Sequence, residues 1–170
     1  FLSEKQIVNG YANGDFRPKE KMTRAEFITM IVRGFAITPS ATDAMSFKDV
    51  TNPSVWYYDA MLNAYRAKLL FGFSDGTMKP NEFITREQAL VILRRAMAYQ
   101  NLPLPTDGPN LSNYSDASQV LPPFVSLVSE MVRANVVNGT DGMLRPSASL
   151  TRAEAATFLY RTLKLPTTVE

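Results

Sequence analysis

One feature limits what this 170-residue chain can fold into more than any other: it repeats itself. "MTRAEF" at 22–27, "ITREQA" at 84–89 and "LTRAEA" at 150–155 open three copies of the same helical pattern. An offset of 62 carries Gly10 to Gly72, Gly14 to Gly76, Pro18 to Pro80 and Thr23 to Thr85. A further offset of 66 gives Gly142, Pro146 and Thr151. Gly139 stands three residues before Gly142 rather than four, so the third loop is one residue shorter. The register continues through Phe27, Ala89 and Ala155, then Ile31, Leu93 and Leu159, then Arg33, Arg95 and Arg161. A period of this kind means that one supersecondary unit buries its apolar face against the next.

Apolar residues at helical spacing predict a first helix per unit over 54–70 and 122–137. The Thr-Arg motif predicts a second over 23–35, 85–99 and 151–163. "FKDV" at 47–50 and "YSDA" at 114–117 mark the openings of the second and third copies, and Phe1 aligns with Asn63. The expected organisation is therefore 1–40 as a unit without its first helix, then 41–104, then 105–166, together one compact all-α domain. A first residue of Phe suggests a processed product or an excised fragment.

Thr three residues before Glu or Gln, ahead of an apolar run, is the capping-box pattern. Thr23 with Glu26, Thr85 with Gln88, and Thr151 with Glu154 all fit it. The Arg at the first helical position does not, because a cation there opposes the helix dipole. Yet it recurs as Arg24, Arg86 and Arg152. Two explanations stand. Helix amides, dipole and guanidinium could converge on an external anion, a carboxylate above all. Alternatively, each Arg pairs with an acid of a neighbouring unit. The Gly loops, with Asn13, Asp75 and Asp141 each before Gly, offer tight turns whose amides could face such a ligand. Trp56 either stacks on a sugar or anchors the core. Arg33, Arg95 and Arg161 fall half a turn from the motif and are expected in solvent or surface pairs.

The chemistry available excludes several classes. There is no Cys and no His, so thiolate metal sites, disulfides and the commonest general base are absent. "ANGDF" and "SDGTM" echo a calcium loop, but the ligand positions fall on Asn9 and Tyr11, or Phe71 and Phe73, so no metal is expected. No Asp/Glu pair stands out for carboxylate catalysis, and no cofactor is implied. A net charge of +2 without a basic run gives no nucleic-acid surface. No apolar window approaches a membrane span.

The string "FKDV…W…GFSDGTMKPNEFITREQALVILRRA" resembles the S-layer homology (SLH) domain. The likeness covers essentially the whole chain. It implies a pseudo-threefold, three-pronged arrangement around a central helical bundle. It also implies a non-catalytic module whose inter-repeat grooves bind secondary cell-wall polymers, typically through a pyruvylated sugar whose carboxylate meets the motif Arg. Such a module would sit secreted at a bacterial cell wall or S-layer, as part of a larger surface protein or enzyme. On that resemblance Arg24, Arg86 and Arg152 are anion contacts, Gly10, Gly72 and Gly139 are loop positions near the ligand, and Trp56 is a groove wall. The rival reading is a protein–protein assembly module of a surface layer. Departures from the family pattern predict unequal sites. Glu87 stands beside Arg86 and could compete for it, the third copy has Pro123 in the Trp register, and the first lacks its opening helix.

Overall fold

A computed structural model describes residues 13–165. Among these, five α-helices and no β-sheet are present: α1 (Arg24–Gly34), α2 (Tyr58–Arg66), α3 (Arg86–Tyr99), α4 (Val125–Arg133) and α5 (Arg152–Leu163). No described helix is long and apolar enough to cross a membrane.

The motif helices α1, α3 and α5 start alike. Thr23, Thr85 and Thr151 each accept from the amide three residues on, and the Glu26, Gln88 or Glu154 side chain accepts from the Thr amide in return. The first helices of the units are shorter than their apolar pattern. α2 begins at Tyr58 rather than 54, and α4 follows a 3-10 turn over Pro122–Phe124. Both end early for one reason. Lys68 and Asn135 take positive φ, 60° and 54°. Leu69 and Val136 then donate back to Ala64 and Met131 carbonyls, closing Schellman caps without glycine. Ala36 and Asn101 end α1 and α3 in the same way.

Packing follows the repeat. α1, α3 and α5 contact one another pairwise, while α2 lies against α1 and α4 against α3. Phe27, Ile31, Leu93 and Leu159 are buried between them, as are Met61 of α2 and Met131 of α4.

Where the three motifs meet, the backbone closes a ring. The Met22 amide donates to the Leu150 carbonyl at 2.9 Å, Leu150 to Ile84 at 2.9 Å, and Ile84 to Met22 at 3.0 Å. These equivalent residues are themselves buried. Each copy thus donates to one neighbour and accepts from the other.

Candidate functional site

The motif Arg residues link the copies in the opposite sense, first to second, second to third and third to first. Arg24 Nε donates to the Met78 carbonyl at 2.9 Å, Arg86 Nε to Leu144 at 2.7 Å, and Arg152 Nε to Phe16 at 2.9 Å. In every copy the acceptor lies two residues before the Pro of the next loop. The helix amides follow suit. Arg24 and Ala25 donate to Glu82 and Pro80 carbonyls, Arg86 and Glu87 to Ala148 and Pro146, Arg152 and Ala153 to Glu20 and Pro18. The expectation of free helix amides aimed at a ligand is therefore corrected: neighbouring loops already occupy them. Loss of a motif Arg would remove a fold contact as well as a charge.

The Asp of the unit's opening grips the same loop from the other side. Asp49 accepts from the Met78 and Lys79 amides at 2.9 and 2.7 Å, and Asp116 from Leu144 and Arg145 at 2.8 and 2.7 Å. The peptide joining Met78 to Lys79 is thus held by a guanidinium at its carbonyl and a carboxylate at its amide. Lys79 and Arg145 have φ of 52° and 53° immediately before Pro. Left-handed backbone costs such residues about 1–2 kcal/mol. Hydrogen bonds to charged groups, each worth about 1.5–3 kcal/mol, offset that strain. Asp49 and Asp116 were legible only as repeat markers, because their partners lie 29 residues away.

Arg24 and Arg86 differ at the guanidinium tips. Arg86 Nη1 forms an ion pair with Glu154 at 2.7 Å. Glu87, expected to compete for it, instead turns away and accepts from the Leu121 amide at 3.0 Å. Arg24 reaches the equivalent residue of the next copy, Gln88, at 3.4 Å. Its near partners are thus neutral: a carbonyl, an amide oxygen and the Phe73 ring, 4.8 Å from the guanidinium. Burial depresses the Arg24 guanidinium, while the more distant charges of Glu82 and Asp49 act the other way.

Arg24 also borders a cleft of about 160 Å³ open to solvent, floored by Gln88, Val91 and Ile92 of α3. The loop residues Phe71, Gly72 and Phe73 form one wall and Phe124 another. Arg95 enters the same cleft, 4.9 Å over Phe71, with Nη1 on the Leu69 carbonyl at 3.1 Å. Its expected place on the solvated surface is corrected: it is half-buried, and desolvation depresses it also. Its counterpart Arg161 donates to the Val136 carbonyl at 3.4 Å.

Of the candidate loop glycines, Gly72 takes φ +78°, and a Cβ there would stand 2.4 Å from the Phe47 ring. Gly139 is shut in by Tyr114, in the register of Phe47, and by the Met143 carbonyl. Gly10 lies outside the described residues. Trp56 is 64% exposed with its edge on Tyr57, so it is no core anchor. It does not line the Arg24 cleft, where Phe124, in the register of Tyr57, stands instead. Asn13 and Asp75 use their carboxamide and carboxylate on amides two residues on, fixing their own turns.

These features define a helical repeat protein whose copies are tied in a ring by the residues that mark the repeat. The chain belongs to the S-layer homology domain family, which it matches over residues 1–28, 46–90 and 113–156. Similar sequences include an endoglucanase of Bacillus sp. (strain KSM-635), 32% identical over 91% of this chain. The surface-layer 125 kDa protein of Lysinibacillus sphaericus is 31% identical over 96% of it, and an amylopullulanase of Thermoanaerobacterium thermosulfurigenes 32% over 96%. The chain spans only 16%, 13% and 9% of those relatives' own lengths.

Proposed function

We propose that this chain is a non-catalytic module that fastens a larger protein to a bacterial cell surface by holding an anionic wall polysaccharide. Membership of the S-layer homology family, shared with proteins named for the surface layer and the cell wall, supports the attachment role. Relatives named as glycan-degrading enzymes support a module carried beside separate catalytic parts. The observation that carries the ligand chemistry is the Arg24 cleft. Two half- to fully buried guanidinium groups share one solvent-open groove with aromatic walls, and among the described residues neither donates to a carboxylate. A carboxylate entering there would gain charge-assisted hydrogen bonds of about 1.5–3 kcal/mol. A pyruvyl ketal on a sugar presents such a carboxylate on a ring that the aromatic walls can cover.

The test alters the glycan and leaves the protein intact. Purified, pyruvylated wall polymer should bind the chain in a pull-down or by calorimetry. Mild acid removal of the ketals should then reduce binding at least tenfold. Equal binding to the stripped polymer would refute the carboxylate reading.

A further inference from the structure

We infer that the residue at the third helical position of the following copy sets whether Arg24 and Arg86 are open to an outside anion, and that Gln88 is what keeps Arg24 open. This rests on the reading of the Arg24 cleft as a carboxylate site. In equivalent places, Glu154 meets Arg86 at 2.7 Å as a carboxylate, while Gln88 meets Arg24 at 3.4 Å as a neutral amide. Both residues cap their helices: each accepts from its own Thr amide, Gln88 at 3.3 Å and Glu154 at 2.8 Å. Capping is therefore served by either side chain, and the difference between them falls on the neighbouring guanidinium.

The chemistry is competitive. A guanidinium can hold a planar carboxylate side-on through parallel N–H groups. With Nε fixed on the loop carbonyl, only the terminal nitrogens remain for that purpose. At Arg86 the Glu154 carboxylate takes Nη1, so an external anion would have to displace it and meet its repulsion. At Arg24 the amide oxygen of Gln88 carries no net charge, and Gln88 itself lines the cleft. Exchange of Gln88 for Glu would place an anion where the ligand's carboxylate belongs. The selectivity thus comes from an opposing element as much as from the attractive one.

The experiment uses the full chain and a pyruvylated mannosamine glycoside as a monovalent probe, with the same sugar lacking the ketal as control. Gln88→Glu should weaken binding of the pyruvylated probe about tenfold or more, with thermal unfolding unchanged or slightly higher. Gln88→Ala loses the cap but adds no charge, so its loss of affinity should be at least about threefold smaller than that of Gln88→Glu. Parent-level affinity in Gln88→Glu would overturn the inference, as would equal losses in both variants, which would mean a structural role. If the parent chain does not distinguish the two sugars, the carboxylate reading itself fails. The two failures are therefore separable.

Discussion

Asp116 shows how one side chain can decide a loop. Its carboxylate is buried, which pushes it upward, but amide hydrogen bonds from Leu144 and Arg145 outweigh that, and the net position is below the ordinary carboxylate range. The folded value lies under the unfolded one. The stabilisation is then complete above the unfolded value near 3.8 and is lost as pH falls through the folded one. Chemical denaturation across pH 2–6 should accordingly show stability falling below about pH 4, and Asp116→Asn should flatten part of that slope at lower overall stability. An unchanged slope would assign the acid sensitivity to other carboxylates. At this scale the sequence was only partly legible. It singled out Arg24, Arg86 and Arg152 as one too many cations for capping, and left both explanations standing. The structure treats the copies differently. Arg86 has its neighbouring acid, while Arg24 faces a cleft. What separates them is the residue 64 or 68 positions away that meets each tip, Gln88 or Glu154. No local pattern carries that information.

Helix starts and helix ends were unequally readable. The starts of α1, α3 and α5 stand where the Thr-x-x-Glu/Gln spacing puts them, because a capping box is a contact within four residues. The ends of α2 and α4 came earlier than their apolar runs. The chain turns left-handed at Lys68 and Asn135, and these are not the glycines that usually announce such a turn. Apolar periodicity continues across the break since Leu69, Leu70, Val136 and Val137 still point into the core. The unusual residue choice makes a stability prediction. Ala36 ends α1 at φ 47° on an exposed position. Gly would remove about 1–2 kcal/mol of left-handed strain and give back about 0.5–1 kcal/mol through the freer unfolded chain. Ala36→Gly should therefore raise stability by about 0.5 kcal/mol in urea denaturation. A loss of stability would mean that the Schellman cap is not what fixes this end.

The ring gives the whole molecule its unity. A linear array passes stability from neighbour to neighbour and lets its end copies fray. Here the third copy returns to the first: Arg152 and Ala153 donate to Glu20 and Pro18, and Met22 donates to Leu150. Every copy is then an interior one, and the central triad of Met22, Ile84 and Leu150 cannot open at one corner without freeing a hydrogen bond at the next. Leu150 is fully buried at that junction, so Leu150→Ala should cost about 2–5 kcal/mol. Native-state hydrogen exchange adds a sharper expectation, because amides that open together share one free energy. In the parent chain the Met22, Ile84 and Leu150 amides should exchange only with global unfolding. In Leu150→Ala all three should lose protection by the same amount, although Ile84 lies 66 residues from the substitution. Retained protection at Ile84 beside a faster Leu150 would show the copies opening separately. The cleft beside Arg24, lined by Arg24, Gln88 and Phe124 of three different copies, would then not depend on closure of the circle.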